Sequence, residues 1–177
     1  MNAEERDTLI HNIKRELIEL PPGDSVTVNH GKKDIYKIIP HRPPFDFISS
    51  ITGISLKNQA IEVTSNVDAA DPVFAGHFPG EPVYPGVFQI ETMGQAGLCL
   101  AYFVKNNTTA VSDENEPVKG LFTRVHNAGF IKGVRPGDHL IIRAKMIEND
   151  DFFGIMSAQV LIGSEIYAHS ILEVYYP

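Results

Sequence analysis

One cysteine among 177 residues, Cys99, has no partner for an intrachain disulfide, so nothing in the chain points to an oxidising compartment. Positive charge is scarce too: 15 Lys and Arg stand against 22 Asp and Glu, a formal net charge of −7. That balance argues against nucleic-acid binding, which needs a basic face, while leaving room for a local basic patch. No continuous apolar run opens the chain, where Glu4, Glu5 and Asp7 stand instead, so no secretory signal is expected. The one stretch approaching membrane-span length, residues 87–104, carries Gln89, Glu91, Thr92 and Gln95, which are costly in lipid. It reads as a buried core helix, and the expectation is a cytoplasmic protein without membrane insertion. The seven histidines show no HExxH or paired metal-ligand spacing. GxSxG elbows and phosphate loops are also missing. No metal and no nucleotide cofactor are therefore expected. Cys99, between Leu98 and Leu100, is expected to be a small buried hydrophobe.

What the chain does contain is an ordinary globular balance, 43% hydrophobic and 21% charged, at a length that suits one domain with a substantial core. Ala3 to Leu20 is expected to be an amphipathic helix, with Leu9, Ile10, Ile13, Leu17 and Ile18 on one face. Acidic residues cluster at its start and Pro21-Pro22-Gly23 stop it. The expected division is an N-terminal helical extension over residues 1–23 and a domain over 24–177. Asp34 to Ile39 suits a short helical turn. Strands are expected over 45–56 and 60–67, then 118–126, 128–134, 139–148, 152–162 and 165–176, separated by Asn, Asp, Gly and Pro turn chemistry. Residues 106–116 are polar and read as a mobile loop. Between the two groups of strands runs a helix from about Gly86 to Phe103. Its Val87, Phe88, Ile90, Met93, Leu98, Leu100 and Phe103 are apolar on too many faces to meet water. An α+β domain follows, with a sheet curved around a central helix.

The chemistry-bearing stretch is His77-Phe78-Pro79-Gly80, then Pro85-Gly86, then Glu91. Imidazole accepts a proton near neutrality. A carboxyl group in apolar surroundings can keep its proton and donate it. Backbone N–H groups at a helix start can hold a developing oxyanion. Pro79, Pro82 and Pro85 recur every third residue, the period of a polyproline II strut that would carry the chain stiffly from His77 to the helix. Glu91 and Gln95 are four apart on one helix face, so Gln95 can orient Glu91. The bland alternatives stay open at this point: a proline-rich surface loop, a structural histidine, and a glutamate at an exposed helix start.

The segments Ile39-Pro40-His41-Arg42-Pro43-Pro44-Phe45, Gly76 to Pro82, Pro85-Gly86-Val87, Glu91-Thr92-Met93-Gly94-Gln95-Ala96, and Phe130 with Val134 to Asp138 give the chain a family likeness. It resembles the FabZ-type 3-hydroxyacyl-acyl carrier protein dehydratases over about residues 38 to 175. The resemblance implies a hotdog fold and dehydration of an acyl carrier protein-bound 3-hydroxyacyl thioester to the trans-2-enoyl thioester. It implies His77 as base and Glu91 as acid, meeting across a homodimer interface, with a trimer of dimers as a further assembly. Gly86 and Val87 would hold the enolate oxygen, Gln95 and Phe88 would belong to the substrate site, and Phe88, Met93 and Phe103 would line an acyl tunnel. Arg42, Lys132 and Arg135 are the basic residues that could meet an acidic carrier. The related dehydratase-isomerases usually have aspartate where Glu91 stands, so dehydration without isomerisation is implied. Pro43, where the family commonly has an aromatic residue, and Ser49-Ser50, in place of an Asp-Arg pair, depart from the pattern. A hotdog thioesterase and a non-catalytic acyl-binding or assembly subunit are the competing readings; the interval from His77 to Glu91 counts against the thioesterase.

Overall fold

The computed structural model describes residues 3–177. In chain order the elements are α1 (Ala3–Ile13), β1 (Val26–Gly31), α2 (Lys32–Ile38), β2 (Ser50–Ser55), β3 (Ala60–Asn66), a 3₁₀ turn (Pro72–Ala75), α3 (Gly86–Asn106), β4 (Leu121–Phe130), β5 (His139–Asn149), β6 (Phe153–Ile162) and β7 (Glu165–Tyr175). The strands make one antiparallel sheet in the order β1-β2-β3-β5-β6-β7-β4. Helix α3 packs along it against β3, β5, β6, β7 and β4, so the sheet around a central helix forms as expected.

The two-residue period of the strands decides which side faces that helix. On β5, Leu140, Ile142, Ala144 and Met146 are buried while His139 and Lys145 are exposed. On α3, thirteen residues are buried, including the unbroken run from Thr92 to Phe103. Gly94 and Gly97 let this helix lie close to the sheet, because a Cβ there would fall 1.9 Å from Phe122 Cζ and 1.8 Å from Met156 Sδ. Cys99 is buried as expected, and burial pushes its thiol up to about 12, so it is unreactive packing.

Some elements differ from expectation. Helix α1 stops at Ile13 instead of Leu20. The reason is Gln159 on β6, whose amide donates to the carbonyls of Ile13 (2.6 Å) and Glu16 (2.7 Å) and accepts from the N–H of Ile18 (2.8 Å). A continuing helix would need those two carbonyls for Leu17 and Leu20. Residues 45–49 are not strand, since the segment is tied to α3 instead and β2 begins at Ser50. The two strands expected over 118–134 are one, β4, which absorbs Asn127 through register shifts against β7. Strand β1 was not anticipated. The polar segment after α3 is pinned, with His30 Nε2 donating to Thr109 O (2.8 Å), Val118 N–H to Ile38 O (2.7 Å) and Lys37 paired with Asp113 (2.7 Å).

Gln159 is fully buried, so its removal would orphan three backbone groups at once. Gln159→Leu is expected to lower stability by about 3 kcal/mol, read by denaturant unfolding with an unchanged m-value. A loss under about 0.5 kcal/mol would show that the N-terminal segment does not depend on this amide.

Candidate active site

His77 follows the 3₁₀ turn and is held by the loop it begins. Its Nδ1 lies 2.8 Å from Val83 O, and Val83 N–H donates back to His77 O at 3.0 Å. A carbonyl only accepts, so Nδ1 carries a proton, and in the neutral tautomer this bond selects Nε2 as the nitrogen with the lone pair. Between them Phe78-Pro79-Gly80-Glu81 makes a tight turn closed by Glu81 N–H on Phe78 O (3.1 Å). Proline suits its second position, and glycine its third, where φ is +84°. The expected polyproline strut is therefore corrected: the chain doubles back on itself at residues 78–81 before it reaches Pro85. Tyr84 N–H donates to Val134 O (2.8 Å) and Arg135 to Pro82 O (3.2 Å), which brace this loop against the segment following β4.

Helix α3 begins immediately after Pro85, whose carbonyl takes the N–H groups of Phe88 (3.1 Å) and Gln89 (3.3 Å). The amides of Gly86 and Val87 come first in the helix, at the positive end of its dipole. A Cβ on Gly86 would lie 2.7 Å from the Phe130 ring, so glycine is what lets the helix start approach β4. Gly86→Ala should push Phe130 and the helix start apart, cutting kcat about tenfold in steady-state assays while the chain stays folded. Unchanged kcat would disconnect these amides from the chemistry.

Glu91, one turn further on, is neither at an exposed helix start nor alone. Its side chain is 17% exposed, and its Oε1 accepts from Gln95 Nε2 at 2.9 Å. Gln95 is fully buried; Nε2 also donates to Phe45 O (3.0 Å) and Oε1 accepts from Phe47 N–H (3.0 Å). One glutamine thus orients the carboxyl and fastens residues 45–47 to the helix. Phe88 stacks obliquely on Phe47 (5.4 Å) and Tyr84 (5.7 Å), giving an apolar wall one turn from Glu91. Met93 and Phe103, expected beside it, are fully buried in the core.

Sequence reasoning missed His41 as a site residue. Its Nε2 lies 3.5 Å from Glu91 Oε1, across fifty positions of sequence, and no local pattern announces that meeting. Burial holds its imidazole below the ordinary histidine range, with Arg42 acting in the same sense and Glu91 opposing.

Among the described residues no hydrogen bond or ion pair joins His77 to Glu91 within one chain; each belongs to its own cluster. Of the three basic candidates, Lys132 pairs with Glu165 (2.9 Å) and Arg135 reaches Glu81 (3.4 Å). Arg42 is exposed, donates to the carbonyls of Tyr36, Ile39 and His41, and lies 4.5 Å from the Tyr36 ring centre. A cleft of about 650 Å³ lies at the opposite end of α3, beside Lys105, Lys119 and Tyr176. Among the described residues no group of three His, Cys, Asp or Glu is placed to hold a metal, and no helix is long and apolar enough to cross a membrane.

The family model for the FabA-like domain matches residues 39–170. A 3-hydroxyacyl-[acyl-carrier-protein] dehydratase FabZ from Sulfurovum sp. strain NBC37-1 is 37% identical over 140 residues, covering 79% of this chain and 92% of the relative. The protein of the same name from Chlamydia trachomatis serovar L2 is 34% identical over 144 residues, covering 81% and 90%. In fold the chain is similar to the dehydratase heterocomplex ApeI:P of Xenorhabdus doucetiae, with TM-score 0.64 at 17% identity over 81% of this chain and 90% of that one. Protein PH1136 of Pyrococcus horikoshii is similar at TM-score 0.54 and 18% identity, covering 86% and 95%.

Proposed function

This chain belongs to the FabA-like family, and from that membership and its hotdog fold we infer that it is a 3-hydroxyacyl-[acyl-carrier-protein] dehydratase of fatty-acid biosynthesis. It removes water from a carrier-bound 3-hydroxyacyl thioester and leaves the trans-2-enoyl thioester. The observation that carries the assignment of the base is the bond from His77 Nδ1 to Val83 O, which leaves Nε2 as the basic nitrogen.

In the reading proposed, Nε2 of His77 takes a proton from C2, and the electron pair moves through the enolate-like thioester. Its oxygen is held by the N–H of Gly86, with Val87 beside it, where a donor contributes about 3 kcal/mol of transition-state stabilisation. Glu91 of the partner subunit gives its proton to the C3 hydroxyl, the C3–O bond breaks and water leaves. His77 then sheds its proton and Glu91 regains one through solvent, and hydration runs over the same groups in reverse. Two protons move and no cofactor is called for.

Sharing the site between subunits is supported by the sheet edge. Among the described residues strand β4 pairs with β7 alone, and its Leu121, Val125 and Phe130 are 60%, 48% and 50% exposed. An open edge bearing apolar side chains is what a second copy of the chain would cover. The His77 loop and the start of α3 both lie against Phe130 and the residues after it, so a second copy docked on this edge would meet them. Acyl carrier protein is acidic, and of the three basic candidates Arg42 is the one whose hydrogen bonds go to carbonyls and not to a carboxylate, which leaves its charge for such a partner.

Incubation with a 3-hydroxyacyl carrier protein, and separately with its 2-enoyl counterpart, tests this reading. Interconversion of the two without release of free thiol is the expected result. Thiol release would make the protein an esterase, and binding without turnover a non-catalytic subunit.

A further inference from the structure

Glu91 sits in a socket of two side chains, of which the proposed chemistry uses neither directly. Gln95 donates to Oε1 at 2.9 Å, and His41 Nε2 faces the same oxygen at 3.5 Å. Glu91 Oε2 takes no bond from the described residues. His41 itself is set in a stiff segment, between Pro40 and the Arg42-Pro43-Pro44 run, and Arg42 Nη1 donates to its carbonyl at 2.7 Å. Its Nδ1 is buried without a hydrogen-bond partner.

That orphaned nitrogen decides the tautomer. A proton on Nδ1 would leave a buried donor unpaired and turn the Nε2 lone pair against a carboxyl oxygen. A proton on Nε2 leaves only a buried acceptor unpaired, the rarer donor defect being avoided, and puts an N–H on the nitrogen that lies 3.5 Å from Oε1, a distance a small turn of either side chain closes to a hydrogen bond. Burial, the largest influence, and Arg42 keep the ring from charging, against the pull of Glu91.

We propose that His41 is a positioning residue for the acid: as a neutral imidazole protonated on Nε2 it holds Oε1 of Glu91 together with Gln95, so that the transferable proton resides on Oε2. Two donors on one oxygen make it the carbonyl-like member of the carboxyl group. The hydroxyl then occupies the side that none of the described residues of its own chain bonds, where the C3 hydroxyl of a substrate would need it. Were the proton on Oε1, it would point into the protein and be lost to the reaction. The inference rests on Glu91 acting as the acid.

The tautomer can be read on the unaltered protein by long-range ¹H–¹⁵N NMR of His41 near neutral pH. The expected pattern is a protonated Nε2 with an unprotonated Nδ1; an Nδ1–H tautomer or an imidazolium would overturn the proposal. Kinetics form the second arm. His41→Leu keeps the site apolar and removes the donor, and should lower kcat about tenfold with KM within about threefold. His41→Gln keeps an N–H near the Nε2 position and should restore kcat to within about threefold of the parent. A leucine variant with parental kcat, or a glutamine variant as slow as leucine, would contradict it. Glu91→Gln separates the two levels: full activity there removes the acid and this inference together. An inactive Glu91→Gln beside a fully active His41→Leu removes the inference alone.

Discussion

Glu91→Gln is expected to lower kcat about a thousandfold, the scale of a lost general acid, while leaving the folded protein as stable as before. Stability should hold because glutamine keeps an oxygen for Gln95 Nε2, so the bonds from Gln95 to Phe45 and Phe47 are undisturbed. What glutamine lacks is an acidic proton for the departing hydroxyl. The loss should fall on kcat more than on KM, since the hydroxyl needs that proton only as the C3–O bond breaks. Thermal unfolding beside steady-state kinetics checks both halves. A variant retaining more than about a tenth of parental kcat would deprive Glu91 of its role.

The second large effect belongs to His77, and the informative substitution is asparagine. Its side-chain N–H can take over the bond to Val83 O that Nδ1 makes at 2.8 Å, so the loop keeps both of its ties to Val83. Nothing then stands where Nε2 was. His77→Asn is accordingly expected to be as inactive as His77→Ala, each down about a thousandfold in kcat. If asparagine restored most of the activity, the imidazole would be a structural strut and the base would have to be sought elsewhere.

These residues were legible in the sequence because their spacing is local. Glu91 and Gln95 meet at 2.9 Å since four positions make one helical turn. The central helix was legible from apolar content that no single face could hold, and it runs three residues beyond Phe103 because Asn107 adopts the left-handed conformation that ends it (φ +45°). What stayed hidden depends on contacts distant in the chain. The early stop of α1 is set by Gln159, over 140 residues away in sequence. The loop over 45–49 reads as strand by its own composition and is overruled by Gln95. Strand β1 holds Val-Thr-Val followed by Asn-His-Gly, too little apolar pattern for a strand at the sheet margin. His41 was visible only as part of a motif, and its meeting with Glu91 exists only once α3 is packed.

The central claim is that one working site takes His77 from one subunit and Glu91 from another. Purified His77→Asn and Glu91→Gln proteins, each inactive, can be mixed under conditions where subunits exchange. Random pairing makes half the dimers mixed, and one of the two sites in each mixed dimer is intact, so activity should rise to about a quarter of the parent. Activity that stays at the level of the separate variants, with exchange demonstrated by mass-tagged subunits, would contradict the shared site.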